Sequence, residues 1–208
     1  MTNLNKLAST LERKDEKPNI ELAHELVRKQ NIKGIQEVFE NLSNKDKKIR
    51  HDCIKVVYEI GRLEPELIAP YAPILIQWLR KYDNRMIWGS MQALSTIAHL
   101  VPDTLIEHLH DLQLAIKNGS VITVDKGILT LGKLAATSKE NNEKIVPFLL
   151  EHLKTCRSKE VPQHAESSIS AVTEENKEAF LEVLKEREPY LTPPQRKRVM
   201  KIIEQLSD

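Results

Sequence analysis

The 208-residue chain is 40% hydrophobic and 29% charged, the balance of a soluble folded protein, which excludes both a disordered and a membrane-embedded chain. Aromatic residues make up only 4%, so the core must be assembled from Leu, Ile, Val and Ala. Lys plus Arg number 31 against 30 Asp plus Glu; the net charge of +1 removes the usual electrostatic case for a nucleic-acid or acidic-membrane partner, leaving only local basic faces. No stretch approaches the roughly 20 apolar residues that span a bilayer. The first turns carry Asn, Lys and Glu where a signal peptide has its apolar core. Cys53 and Cys156 lie far apart, and Cys53 falls on a predicted buried face, a pattern of reduced thiols in a cytoplasmic setting.

In chain order, residues 3–14 place Leu4, Leu7 and Leu11 on one helical face. The Glu16-Lys17-Pro18-Asn19 stretch ends that helix and starts a second over 20–30, with Asn19 as its N-cap. A third helix over 32–42 carries Ile35, Val38, Phe39 and Leu42. Beyond it one pattern recurs three times at a 37-residue spacing. Asp46, Asp83 and Ser120 fall in register, as do Val57, Leu94 and Leu131, and Leu75, Leu112 and Leu149. A period of this length marks an array of stacked supersecondary units. Each copy reads as two helices. Asp46 caps the first, and Pro65-Glu66, matched by Pro102-Asp103, opens the second. Pro147, in register with Pro73, places a proline inside that second helix. The columns Cys53, Ser90, Gly127 and Gly61, Ala98, Ala135 are small, which predicts closely crossing helices. Subtracting one period from Leu75 and Leu79 lands on Val38 and Leu42, so the preceding helices are a degenerate copy.

The predicted architecture is all-α, one solenoid domain over 1–208. It consists of an N-terminal cap with a degenerate repeat (1–45), three clear repeats (46–155), then a degenerate repeat and a C-terminal cap helix (156–208). In the last part Thr192-Pro193-Pro194-Gln195 reads as a capping box ahead of Val199, Ile202, Ile203 and Leu206.

Asp46, Ile49-Arg50 and Cys53, followed by Val57 and Ile60, a turn and a leucine-rich second helix, resemble the HEAT repeat. The likeness is clear over 46–155 and looser over 19–191. It departs where Ile87 and Val124 occupy the Arg50 column and Ser120 replaces Asp. The resemblance implies an α-α superhelix, a right-handed solenoid of stacked antiparallel helix pairs whose second helices line a concave face. It implies a non-enzymatic scaffold or adaptor for a protein or peptide partner. A minority of such arrays bind nucleic acid, and one group excises alkylated bases from DNA; a nucleic-acid-binding array of that kind is the alternative.

No glycine-rich phosphate loop, Gly-x-Ser-x-Gly elbow or Cys-x-x-Cys is present, so neither catalysis nor a cofactor is expected. His108 and His110 point apart on one helix, so no metal is expected there. Tyr71, Ile74, Trp78 and Tyr82 form a ridge beside the buried stripe of a second helix, where packing competes with partner contact. The residues that break the period on the second helices, Tyr71, Trp78, His108, Asp111 and His152, are the candidate partner contacts. Trp88, on the opposite helix of its pair, has no evident role. Two basic clusters, at Lys45, Lys47, Lys48, Arg50 and at Arg196, Lys197, Arg198, Lys201, lie close to acidic residues and read as solvated faces more than phosphate sites.

Overall fold

The computed structural model describes residues 2–207, and these contain α-helices, short 3-10 turns and no strand. The α-helices are α1 (Lys17–Arg28), α2 (Ile32–Glu40), α3 (Lys47–Leu63), α4 (Ala72–Leu79), α5 (Asn84–Ile97) and α6 (Pro102–Glu107), followed by α7 (Leu109–Asn118), α8 (Val121–Ala135), α9 (Lys139–Thr155), α10 (Val161–Ser168), α11 (Lys177–Arg187) and α12 (Pro193–Ser207). None is long and apolar enough to cross a membrane. The chain forms two compact units, Met1–Gly127 and Ile128–Asp208.

In the first unit α3 packs between α1 and α5, and α4 packs on α5 and α7. The positions that carry the period supply the core: Val57, Ile60, Leu75, Leu94, Ile97 and Leu112 are all fully buried. Each such side chain contributes about 1.5–3 kcal/mol by leaving water. The predicted caps also form. Asp46 accepts the Lys48 amide at 2.8 Å and Asp83 the Met86 amide at 3.4 Å. The small column works as expected, because a Cβ at Gly61 would stand 2.5 Å from Thr96 Oγ1 and 2.6 Å from Ile68 Cδ1.

Four expectations fail locally, two of them for identifiable reasons. Residues 3–14 form only a 3-10 turn, Asn3–Lys6, capped by Thr2; Leu7 is buried but Leu11 is half exposed. Asn19 does not cap α1. Proline 18 sets the first turn, so the helix starts earlier, and Asn19 is instead fully buried. Its side chain accepts the Ala8 amide at 2.9 Å and donates to Asp52 at 2.7 Å, tying the N-terminal segment to α3. The second helix of the first copy is not continuous. Pro65, Pro70 and Pro73 each remove an amide donor, so the chain runs through two 3-10 turns and Pro73 sits in the first turn of α4. Pro147, by contrast, is tolerated inside α9, where the proline itself is exposed. The second helix of the next copy breaks at His108 into α6 and α7.

In the second unit α9 packs on α10 and α11, and α12 closes over both α10 and α11. Leu153, Val161, Phe180, Leu184, Val199 and Ile202 form its core. The capping box at the start of α12 forms in part: the Thr192 amide donates to Gln195 Oε1 at 2.9 Å.

Candidate partner-binding site

Four of the five candidate contacts lie in the first unit and His152 lies in the second. Tyr71 is half buried and stacks on Phe39, with ring centroids 3.9 Å apart and an interplanar angle of 9°. It therefore packs against the preceding degenerate copy. Tyr71→Ala should destabilise the first unit by about 2 kcal/mol, combining lost burial with a stacking contribution of roughly 0.5–1.5 kcal/mol, readable as a fall in the urea midpoint. Trp78 is half buried on α4. His108 and Asp111 do come together, at 3.3 Å, because the helix break turns the imidazole toward the first turn of α7. Arg80 completes the group, donating to Asp111 through Nε at 2.8 Å and Nη2 at 2.6 Å. The Arg80 guanidinium, acting against burial, holds the Asp111 carboxyl below the usual carboxylate range. His152 lies in the second unit, where its Nε2 is 2.9 Å from His164 Nδ1.

Beside Arg80 and Asp111 a groove of about 510 Å³ opens between the end of α4, the start of α5 and α7. Of the five residues, only Asp111 lines it. The other lining groups include Lys81, Tyr82, Asn84, Leu114 and Asn118. Tyr82 stands wholly in solvent, at 105% relative exposure, and Leu114 is 49% exposed. Two large apolar side chains held out at one groove have no role in the core. Tyr82 belongs to the sequence ridge, but α4 ends at Leu79, so the tyrosine lies past the helix and swings free of the packed face. Lys81 forms no ion pair among the described residues. The second-helix pattern singles out Asp111 beside this groove but not Arg80, Lys81 or Leu114, which carry no repeat signal.

Several of the remaining charged groups are paired within the fold. Trp88 lies 5.9 Å from Tyr58, with Arg85 over its face at 4.8 Å and Lys55 over Tyr58 at 4.8 Å. Glu16 pairs with both cations and Glu59 with Lys55 at 2.7 Å, so Trp88 clamps α3 to α5. In the basic clusters, Arg50 pairs with Asp83 at 3.3 Å, Arg196 with Glu188 at 2.7 Å and Arg198 with Glu166 at 2.7 Å. These pairs leave the nucleic-acid alternative without support, since the arginines already hold carboxylates.

No protein-family model and no curated protein sequence matches the chain. Solved structures do. A designed armadillo repeat protein in complex with the peptide (KR)4 is similar with a TM-score of 0.70 and 15% identity, over 89% of this chain and 86% of that one. An engineered protein is similar with a TM-score of 0.68 and 18% identity, over 99% of each chain. The karyopherin Kap121p bound to the SUMO protease Ulp1p is similar with a TM-score of 0.64 and 15% identity, over 96% of this chain and 22% of the karyopherin. At such identities the likeness is one of fold. Paired helices, caps repeated at one spacing and these neighbours together show a HEAT/armadillo-like helical-repeat fold.

Proposed function

We propose that the protein is a non-enzymatic scaffold whose first unit binds a polypeptide segment in the groove between α4, α5 and α7. The carrying observation is the exposure of Tyr82 and Leu114 at the edge of that groove. Rigid aromatic and aliphatic side chains in a concave setting are what interface hot spots use. Asn84 and Asn118 offer donors and acceptors to a peptide backbone, while Lys81 supplies a charge without a partner. The segment that fits has an apolar side chain next to a carboxylate. Both structural neighbours with peptide or protein bound support the class of partner. A cytoplasmic setting belongs to this reading, supported by the free thiols of Cys53 and Cys156.

A displayed library of random linear peptides, panned against the wild-type protein, tests it. Enriched peptides should combine an apolar with an acidic residue and lose at least about tenfold in affinity on Tyr82→Ala or Leu114→Ser, the cost of one interface contact worth over 1 kcal/mol. Both exposed substitutions should leave stability within about 0.5 kcal/mol of wild type. Peptides that bind the two variants as well as wild type, or no enrichment at all, count against the groove.

A further inference from the structure

The second unit gathers three metal-ligating side chains where α9 ends and α10 begins. His152 lies in the last turn of α9, and Cys156, four residues on, is the extended residue that ends the helix. His164 comes from α10 and is fully buried. One ligand atom from each of the three lies within 4.8 Å of the other two. His152 Nε2 and His164 Nδ1 already face one another at 2.9 Å, sharing a proton between two rings whose centroids are 4.8 Å apart.

The frame that holds them is fixed. Leu153, Val161 and Ala165, interleaved with the three, are wholly buried in the core of this unit. The Cys156 amide donates to His152 O at 2.8 Å, and Arg187 Nη2 donates to Cys156 O at 2.6 Å. Arg187 Nη1 also donates to Lys154 O, so the guanidinium grips the backbone on both sides of the turn. Glu160, paired with Arg157, places a negative charge that acts on all three groups. Burial and the neighbouring His164 push His152 down to about 4, while burial pushes the Cys156 thiol up to about 11.

We propose that His152, Cys156 and His164 bind a single zinc ion, with water in the fourth position. The donor set of two imidazoles and a thiolate suits a borderline-soft ion of tetrahedral preference. Zinc–nitrogen distances of about 2.0–2.1 Å and zinc–sulfur distances of about 2.3 Å put neighbouring donors roughly 3.3–3.7 Å apart. The 2.9 Å imidazole contact thus opens slightly and the widest separation, 4.8 Å, closes by about 1 Å, motions that the partly exposed His152 can supply. On binding, the ring that carries the shared proton moves it to its other nitrogen, so both facing nitrogens hold the ion as neutral imidazoles, and the Cys156 thiol releases its proton to solvent. One thiolate and the Glu160 carboxylate balance the ion's charge. The bound ion pins the end of α9 to α10, so it acts as a clip within this unit.

Titration of the full chain with cobalt(II) under a thiol-free reductant tests the site, followed by competition with zinc against a chromophoric chelator. The expected result is one equivalent bound, with tetrahedral ligand-field bands and a thiolate-to-cobalt charge-transfer band that zinc abolishes. His152→Gln and Cys156→Ser, each checked for wild-type helical content, should weaken zinc by more than the 10–100-fold that loss of even an outer partner typically costs. Zinc should raise the thermal midpoint of wild type and leave that of both variants unmoved. A cobalt spectrum without the thiolate band, or equal zinc affinity in wild type and both folded variants, overturns the proposal and leaves a plain histidine–histidine hydrogen bond.

Discussion

Replacing Gly132 by alanine should lower stability by about 2 kcal/mol, although the same change inside an ordinary helix gains about 1 kcal/mol. Gly132 sits in the interior of α8 and faces α10 at a point where the two backbones nearly touch. A Cβ there would collide with the Ser167 carbonyl oxygen and stand 3.4 Å from Ser168 Cα. Overpacking typically costs about 1–3 kcal/mol when neighbouring side chains can move. Here the obstacle is main chain of a helix that itself is packed on α9 and α12, so the upper end of that range or more applies before the helix-propensity gain is subtracted. Gly61→Ala is the control. Its Cβ would meet the ends of the Thr96 and Ile68 side chains, which can rotate, so its cost should be clearly smaller. Urea unfolding of the two variants decides the matter, and a Gly132→Ala protein as stable as wild type would show that α8 and α10 are not so close.

The contrast between these glycines also shows what the sequence carried. Gly61 stands in a repeated small-residue column and was readable as a crossing point; Gly132 stands in none, and only the folded chain shows what it faces. The same division runs through the whole molecule. Val57, Leu94 and Leu131 recur because each repeat must bury the same positions, and all three are fully buried. The caps at Asp46 and Asp83 recur for an equally local reason. Tertiary partners leave no period. Asn19 reads as a cap from its neighbours, yet its amide is taken up by Ala8 and Asp52, across the fold. His164 attracts no notice in the sequence because its counterpart, His152, is separated from it by a turn and a change of helix. Tyr82 was visible as an aromatic on a ridge, but its exposure depends on α4 ending at Leu79. Fold was legible where the repeat enforces it. Surface chemistry was legible only as a choice of helices.

Asp83 is the residue in which the repeated and the unrepeated meet, and its removal should cost about 2–3 kcal/mol. As a cap it accepts the Met86 amide, an interaction worth about 1 kcal/mol. It also reaches back to the first helix of the preceding copy, accepting from His51 Nε2 at 2.9 Å and Arg50 Nη2 at 3.3 Å. Hydrogen bonds to charged groups contribute about 1.5–3 kcal/mol. Without the carboxylate, Arg50 keeps only the Asn44 and Lys45 carbonyls, and its buried Nε already lacks a partner. Asp83→Ala therefore loses cap and anchor together, whereas Asp83→Asn keeps an acceptor for the cap and loses only the charge. Burial alone would raise the Asp83 carboxyl, but the hydrogen bonds and charges of His51 and Arg50, with the Met86 amide, hold it below the ordinary 3.8. A depressed carboxylate stabilises the fold fully above its unfolded value and loses that contribution as pH falls through its folded value. The stability gap between wild type and Asp83→Asn should accordingly close in the range below about pH 4, where other carboxylates such as Glu25, held down to about 2 by Lys29 and Lys6, titrate equally in both proteins. A gap that stays constant through that acid range would mean that Asp83 acts only as a helix cap and that the arginine behind it contributes nothing to joining the two copies.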